Sequence, residues 1–326
     1  MSAWIARPAA PTITGTPGFL ADVLAGLCHD GQKSLPPKYF YDELGSLLFD
    51  AITRLPEYGV WRAERRLLEA HAETIATASA AGLVVELGSG SAEKTRFILE
   101  ALLDQQRVTY CPIDVSSTAL ESSRRALDDL DGLEIHGIAR EYLVGVDEAM
   151  RMRVANVPAL VLFLGSSLGN FDRSASAGLL RSVRDRLMPG DLLLLGADLD
   201  KAEQRLLAAY DDALGVTAAF NLNVLARVNR ELNAEFRLPY FRHRVRFDRA
   251  RRNVEMHIES LRDQSIRIQR GAFEVTLAAG ETIHTETSHK YSLDEIGELM
   301  RDAGFRRAEQ WCDQEWGFAT GLYMAD

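Results

Sequence analysis

The sequence predicts an α/β protein whose core is a doubly wound, mainly parallel β-sheet. From residue 83 to 199, short apolar runs alternate with segments of helical periodicity. Strands without polar alternation are buried on both faces, which is typical of a parallel sheet covered by helices on each side. Of the 326 residues, 47% are hydrophobic and 26% are charged, values that suit a chain with a sizeable buried core.

The elements of this core follow one another in a regular order. The predicted strands are 83–87, 108–113, 133–138, 159–164 and 192–195. Between them, apolar residues recur with the helical period, which predicts helices over 93–103, 117–127 and 175–187. A last helix over 292–303 and two strand-like runs, 308–312 and 317–324, are expected to complete the sheet.

The rest of the chain is expected to form a second, mixed α+β unit. Its apolar residues recur with the helical period over 19–80 and again over 201–233. Around Phe241 and Val254, apolar and polar residues alternate with period two, as in half-buried antiparallel strands. We therefore divide the chain into three parts. They are a flexible N-terminal tail at 1–18, a substrate-binding unit at 19–59 and 200–286, and a cofactor-binding core at 60–199 and 287–326.

Charge and cysteine content narrow the function classes. The 37 lysines and arginines against 47 aspartates and glutamates give a net charge of −10, so the surface repels phosphate backbones and anionic headgroups. Nucleic acid and membrane are therefore not expected as partners, and a small molecule is. Cys28, Cys111 and Cys312 form no C-x-x-C pair, which favours free thiols in the cytoplasm over a disulfide framework. The histidines match no ligand spacing, so no metal is expected.

A glycine-rich turn follows the first core strand. Gly88 and Gly90 stand in the run E-L-G-S-G, where glycines let the backbone approach a ligand closely. A dinucleotide fingerprint would place its third glycine at position 93, but that residue is Glu93, whose carboxylate would repel a pyrophosphate. Glu86 and this turn suit S-adenosyl-L-methionine, which has no phosphate and carries a sulfonium cation. Asp114 ends the second strand, where it can accept hydrogen bonds from ribose hydroxyls; a helix cap is the alternative role.

Five further blocks of sequence are long and specific. They are K-S-L-P-P-K-Y-F-Y-D at 33–42, I-T-R-L-P-E-Y at 52–58, V-E-L-G-S-G-S-A-E-K-T-R at 85–96, F-L-G-S-S-L-G-N at 163–170 and A-Y-D-D-A-L-G-V-T-A-A-F-N at 209–221. With these blocks the chain resembles the histidine-specific S-adenosylmethionine-dependent methyltransferases, which include the L-histidine Nα-methyltransferases of ergothioneine biosynthesis. The resemblance implies a class I methyltransferase, Rossmann-like sheet with S-adenosyl-L-methionine as cofactor.

The resemblance also implies which residues form the two binding sites. Together with Glu86, the implied cofactor residues are Gly88, Gly90, Lys94, Asp114, Glu141 and Tyr142. The family commonly has Asp and Phe where this chain has Glu141 and Tyr142, beside the adenine. The implied substrate residues are Tyr41, Tyr58, Gly165, Asn170, Tyr210, Phe220, Met256, Glu286 and Ser288. Among these, Asn170 and Tyr210 are expected to hold the carboxylate of histidine, and Tyr58, Glu286 and Ser288 its imidazole.

Residue chemistry supports three of these assignments. Asn170 follows the fourth core strand, at the edge where open parallel sheets bind ligands, and its amide can donate to a carboxylate; capping a helix that starts near Asp172 is the alternative. Glu286 and Ser288 are two apart in a predicted strand, so their side chains point to the same face. A carboxylate accepts an imidazole N–H and a hydroxyl donates or accepts, which favours a ring with polar nitrogens. A solvated strand face is the alternative.

Two local departures from the family stand next to these residues. After Tyr58 the family usually reads Tyr-Pro-Thr-Arg, whereas this chain reads G-V-W-R at 59–62, so we expect a reshaped pocket entrance. His289 follows Ser288 where other members often have a smaller residue.

Together these observations predict a monomeric, cytoplasmic methyltransferase that acts on the α-amino group of L-histidine. The resemblance implies that it adds three methyl groups, by way of the mono- and dimethyl forms, to give hercynine. Tyr41 and Asn170 are expected beside the reacting amine, with Tyr41 and bulk water as two candidate acceptors of its proton. One alternative is a related enzyme for another amino acid, such as a tryptophan derivative, although an indole has no acceptor to match Glu286 and Ser288. The others are a nicotinamide-dependent oxidoreductase and a non-catalytic amino-acid sensor.

Overall fold

The computed structural model describes residues 17–28 and 30–326. The predicted tail at 1–18 lies outside the described residues except for its last two, which begin the first helix. The α-helices are α1 (Pro17–Leu27), α2 (Glu43–Arg54), α3 (Val60–Ser79), α4 (Thr95–Leu103), α5 (Ser117–Leu127), α6 (Tyr142–Met150), α7 (Arg173–Arg184), α8 (Glu203–Tyr210), α9 (Val216–Leu232) and α10 (Leu293–Asp302). Short 3-10 helices span Pro37–Phe40, Ser167–Asn170, Leu238–Tyr240 and Gln269–Gly271.

The strands belong to three sheets. In chain order they are β1 (Lys33–Ser34), β2 (Leu83–Leu87), β3 (Val108–Ile113), β4 (Leu133–Ile135), β5 (Ala159–Phe163), β6 (Leu192–Asp198), β7 (Phe241–Asp248), β8 (Asn253–Ser260), β9 (Gln264–Ile268), β10 (Phe273–Leu277), β11 (Thr282–His289), β12 (Phe305–Asp313) and β13 (Phe318–Ala325).

The main sheet has the strand order β12-β13-β6-β5-β2-β3-β4. Strands β2 to β6 pair in parallel, whereas β13 pairs antiparallel with β6 and with β12. Neighbouring residues of β2 face opposite layers: Val84 packs in the cluster that contains Leu68 of α3, and Val85 in the cluster that contains Leu180 of α7. This burial on both faces explains the uninterrupted apolar strands, and it confirms the doubly wound α/β fold.

A second sheet, β1-β11-β8-β7, lies with the hairpin of β9 and β10 outside this core. Its apolar residues share a separate cluster with the helices of the N-terminal segment and the insertion, as Phe19, Phe220 and Ile283 show. The expected boundary at 286 falls inside β11, because Ser288 and His289 still pair with β8. The division of the chain into two units stays a prediction.

Some of the predicted element bounds agree with the structure and others differ from it. The bounds of β2, β3 and α5 are as predicted, but α4 begins at Thr95 rather than 93, after the glycine-rich turn. The predicted strand over 133–138 ends at Ile135, and only a bridge joins Ile138 to β3. The helical stretch over 201–233 is two helices, because the Asp212 carboxylate accepts the backbone N–H groups of Val216 and Thr217 and so starts α9. Helix α6 and strands β1, β9 and β10 were not predicted.

Candidate active site

Three predicted site residues meet at one edge of the main sheet. Gly88 follows β2, Asp114 follows β3, and Gly165 lies two residues beyond β5. Asp198, which was not predicted, ends β6 at the same edge. Because these strands are parallel, their carboxyl ends share one edge, which is where open α/β sheets bind ligands.

The glycine-rich turn adopts a backbone that favours glycine. Gly88 and Gly90 have φ angles of +70° and +54°, in the left-handed region. A Cβ atom at position 88 would lie 3.0 Å from the Tyr142 hydroxyl, whereas nothing lies within 4 Å of one at position 90. The turn is therefore covered by an aromatic ring on one side and open on the other, which fits a nucleoside.

Asp114 is held at this turn by backbone donors. Its Oδ1 accepts the Ser116 N–H at 2.8 Å, and its Oδ2 lies 3.4 Å from the Gly90 nitrogen. The N-cap of α5 is Ser116, whose hydroxyl accepts the Ala119 N–H, so capping this helix does not account for Asp114. Desolvation raises the pKa of Asp114. A half-buried carboxylate at this point can accept the hydroxyls of a ribose.

Glu86 differs from the expectation of direct contact with the cofactor. Its buried carboxylate accepts the Thr95 hydroxyl at 2.8 and 2.9 Å and the hydroxyl of Tyr110. Burial raises the pKa of Glu86 to about 7, although both donors oppose the rise. With these protein partners, Glu86 holds the start of α4 against β3 and acts on the turn indirectly.

The Lys94 ammonium and the backbone just after β5 both contact the buried carboxylate of Glu64. Its ammonium pairs with Glu64 of α3, a side chain with no solvent exposure. The same carboxylate accepts the Gly165 backbone N–H at 2.8 and 2.9 Å. Glu64 therefore connects a predicted cofactor residue with a predicted substrate residue.

The two residues expected beside the adenine have unlike surroundings. Tyr142 packs edge-on against Phe163, with ring centroids 5.7 Å apart, and covers Gly88. Glu141 is exposed and lies 3.8 Å from Lys38. The structure brings Tyr142 to the turn and leaves Glu141 at the surface.

Aromatic rings form one wall of the candidate substrate pocket. Tyr41 contacts Phe49 and Phe220 with centroid distances of 5.6 and 5.7 Å, and Tyr58 contacts Tyr210 at 6.3 Å. Burial, followed by the nearby Glu286 carboxylate, raises the pKa of Tyr41 well above its usual value. The phenol of Tyr41 is therefore protonated at neutral pH.

Glu286 lies near these rings, since its charge raises the pKa of both Tyr41 and Tyr58. It pairs in register with Met256 of β8 and is only 8% exposed. Burial raises the pKa of Glu286 to about 7, against the opposing effects of Lys290 and Asn170. The N-cap of α7 is Asp172, so Asn170 does not have the alternative role of helix cap.

A cluster of buried polar groups stands next to Glu286. The Tyr210 hydroxyl donates to Ser288 Oγ at 2.8 Å, and the Lys290 ammonium lies 2.9 Å from each of these oxygens. Lys290 also lies 2.8 Å from the Asp198 carboxylate, which pairs in addition with Lys201. Glu286 and Ser288 are both buried, in contrast to the alternative of a solvated strand face.

The G-V-W-R run at 59–62, which departs from the family sequence after Tyr58, packs closely against Trp316 in the structure. A Cβ atom at Gly59 would lie 2.1 Å from the Trp316 ring, so only glycine fits beneath this indole. The Trp316 N–H donates to Asp198 at 2.9 Å. The Arg62 guanidinium donates to the carbonyls of Leu55 and Pro56 and so closes the preceding loop. A cavity of about 250 Å³ lies beside this contact and is lined by none of the predicted site residues.

Several residues of this site were not predicted. They are Phe49, Glu64, Asp198, Lys201 and Lys290. Asp198 could have been found, because it is an acidic residue at the end of a buried parallel strand. Glu64 lies mid-helix and the lysines lie in polar sequence, where charged side chains are ordinarily exposed, so no sequence signal marks them.

Two possible features are absent from the part of the chain that the structure describes. Over residues 17–28 and 30–326, no group of three or more histidine, cysteine, aspartate or glutamate side chains could hold a metal ion. In the same ranges, no helix is long and apolar enough to cross a membrane.

The strand order, the glycine-rich turn and the acidic residue after β3 define a class I S-adenosylmethionine-dependent methyltransferase. The profile of the family described as histidine-specific, SAM-dependent methyltransferase matches residues 19–325. The chain belongs to this family.

Similar proteins include two enzymes named histidine N-alpha-methyltransferase. The enzyme of Mycolicibacterium smegmatis is 43% identical over 303 residues, which are 92% of this chain and 93% of that protein. The enzyme of Mycobacterium tuberculosis is 40% identical over 305 residues, with the same coverage. Among solved structures, magnesium protoporphyrin IX methyltransferase from Synechocystis PCC 6803 with bound SAH has a TM-score of 0.45 at 11% identity, over 89% of this chain and 97% of that one.

Proposed function

We propose that this protein transfers three methyl groups in succession from S-adenosyl-L-methionine to the α-amino nitrogen of L-histidine, giving hercynine for ergothioneine biosynthesis. The observation that carries the proposal is that Glu286 and Ser288 are both buried on β11, which packs against the 3-10 helix Ser167–Asn170 after β5, at the edge of the main sheet that also holds the glycine-rich turn. The names of the two mycobacterial relatives support histidine as the substrate.

The cofactor would be held by the residues around the turn. Gly88 and Gly90 allow its close approach, Asp114 would accept the ribose hydroxyls, and Lys94 would bind its carboxylate. Tyr142 would cover the adenine, with Glu141 at the rim. When bound, S-adenosylmethionine supplies a methyl group activated by its sulfonium cation.

The protein's own contribution is to position the amine, an effect whose ceiling in model systems is about 7 to 11 kcal/mol. The Asn170 amide has two N–H donors and would use them for the substrate carboxylate, beside Tyr210. Tyr58, Glu286 and Ser288 would hold the imidazole. Gly165, Phe220 and Met256 would complete the walls of the pocket.

Tyr41 would lie beside the reacting amine as a neutral phenol. Because its pKa is raised well above the usual value, it is not a phenolate that could take a proton at neutral pH. This favours bulk water as the final acceptor, with the Tyr41 oxygen accepting a hydrogen bond from the amine.

The proposal includes a monomer in the cytoplasm, without a nucleic-acid partner, that is built from the two units described above. Cys28, Cys111 and Cys312 are free thiols, which supports a reducing compartment. The exposed arginines of β7 are in part neutralised, since Arg242 and Arg244 both pair with Glu259. Paired guanidinium groups offer little attraction to phosphates.

The experiment that tests the proposal is calorimetric titration with S-adenosylmethionine, NAD and histidine, followed by mass spectrometry of the product. We expect binding of S-adenosylmethionine and histidine, none of NAD, and a histidine product carrying three added methyl groups. Methylation of tryptophan in preference to histidine would move the protein to the related amino-acid methyltransferases. Binding without any product would support a sensor, and binding of NAD an oxidoreductase.

A further inference from the structure

Lys290 lies at the centre of a buried cluster in which no role has been assigned to it. Its side chain has no solvent exposure. Its ammonium is 2.9 Å from Tyr210 Oη, 2.9 Å from Ser288 Oγ and 2.8 Å from Asp198 Oδ2. An ammonium has three N–H donors and no acceptor. Two of them serve the two hydroxyl oxygens, and the Asp198 carboxylate pairs with its charge.

This arrangement determines what Ser288 can offer to a ligand. Its Oγ accepts an N–H of Lys290 and also the hydroxyl of Tyr210 at 2.8 Å, because the phenol is the more acidic hydroxyl and donates to the alcohol. A hydroxyl oxygen has two acceptor lone pairs and one hydrogen. With both lone pairs occupied, Ser288 has only its hydrogen left to donate.

Glu286 offers the complementary group. It lies two residues before Ser288 on β11, and its buried carboxylate has lone pairs that can accept an N–H. The pocket thus presents one acceptor and one obligate donor. A neutral imidazole matches them with one N–H and one bare nitrogen, whereas an imidazolium has two N–H groups and no acceptor.

We propose that Lys290 is a positioning residue that makes the Ser288 hydroxyl an obligate donor, so that the substrate site binds the neutral imidazole ring and rejects the imidazolium. This inference rests on the proposed function, since it takes histidine to be the ligand. The ionisable groups whose charges interact with Lys290 are Asp198, Lys201, Tyr210, Glu286 and His289.

The test compares two ligands at two pH values, by calorimetry in the presence of S-adenosylhomocysteine. Histidine titrates at a ring pKa of about 6.5. The ring of 3-(1,2,4-triazol-3-yl)-L-alanine offers an N–H and a bare nitrogen, as the neutral imidazole does, and stays uncharged in this range, so its affinity reports the protein's own titrations, including that of Glu286. From pH 7.5 to 5.5, the ratio of the histidine Kd to the triazolylalanine Kd should rise about tenfold in the parent, because only about a tenth of the histidine remains neutral.

Two lysine variants form a matched pair. Lys290→Met frees one lone pair of Ser288, which can then accept an N–H. From pH 7.5 to 5.5, the ratio of the two Kd values should therefore rise less than about threefold in this variant. Lys201→Met also removes a cation from Asp198 but contacts neither hydroxyl, so it should behave as the parent does.

Tyr210→Phe serves as a second variant, in case Lys290→Met does not fold. It releases the other lone pair of Ser288 and keeps the pair of Lys290 and Asp198, so it should flatten the ratio too, and any loss of affinity that the two ligands share cancels in the ratio. A tenfold rise retained in folded Lys290→Met or in folded Tyr210→Phe overturns the proposal. A parent whose ratio does not change with pH overturns it as well. A parent that binds no histidine at either pH overturns the proposed function and this inference with it.

Discussion

Replacing Glu286 with alanine should change which amino acid the enzyme methylates. The carboxylate is buried near the Asn170 amide, and a ligand N–H would give it a direct partner. A ring without an N–H would leave this carboxylate desolvated and unpaired. We therefore expect the parent to reject phenylalanine. We expect it to disfavour tryptophan because an indole, although it has an N–H, has no acceptor for the Ser288 hydroxyl. The variant should lose this selectivity.

The size of the effect follows from the pKa of the carboxyl group. Burial raises the pKa of Glu286 from 4.5 to about 7, which corresponds to about 3 kcal/mol of disfavoured ionisation. A charge-assisted hydrogen bond from the ring recovers roughly 1.5 to 3 kcal/mol. Glu286→Ala should therefore cost histidine on the order of 2 kcal/mol of transition-state binding, or about thirtyfold in kcat/KM, while tryptophan stays level or improves.

The measurement is kcat/KM for histidine and tryptophan in the parent, in Glu286→Ala and in Glu286→Gln. The glutamine variant keeps the volume and one neutral acceptor, so it should lie between the other two for histidine and gain little for tryptophan. Equal losses for both substrates in the alanine variant would show that Glu286 supports the fold or the chemistry, and would refute the specificity argument.

Three further predictions follow from single residues. Asp114→Ala should weaken S-adenosylmethionine binding about tenfold to a hundredfold in calorimetry and leave histidine binding nearly unchanged; unchanged cofactor binding would mean that the nucleoside lies elsewhere. Asn170→Ala should weaken histidine more than histamine, which has no carboxylate, and equal losses would contradict its assigned role. Because the folded-state pKa of Glu86 is raised to about 7, its ionisation opposes folding, so the parent should lose stability relative to Glu86→Gln as pH rises from about 4.5 through 7. The gap should reach on the order of 3 kcal/mol at pH 8, and parallel denaturation midpoints across this range would contradict it.

The core sheet could be predicted because burial on both faces leaves a direct mark on the sequence. Val84 and Val85 face opposite hydrophobic layers, so neither position tolerates a polar residue. The shared face of Glu286 and Ser288 followed from strand geometry in the same way, because residues two apart point to one side. Patterns of this kind are local, and a single sequence carries them.

The polar contacts that complete the site could not be predicted in this way. Glu64 and Lys290 are wholly buried, yet both residue types are ordinarily exposed, and only their partners on distant elements explain their burial. For Glu86, the protein partners could not be predicted either, since Thr95 and Tyr110, on other elements, donate to its carboxylate inside the fold. Contacts between elements decide such cases.

The contact between Gly59 and Trp316 limits how the sequence of this protein can vary. A side chain at position 59 could be accommodated only if the indole moved away, yet the indole N–H is held by Asp198, which also holds Lys290. Position 59 can therefore change only together with position 316. In a library randomised at both positions, active members without glycine at 59 should carry a residue smaller than tryptophan at 316. A substitution at position 59 or 316 would in this way act, through Asp198, on the buried cluster around Lys290 that faces the substrate.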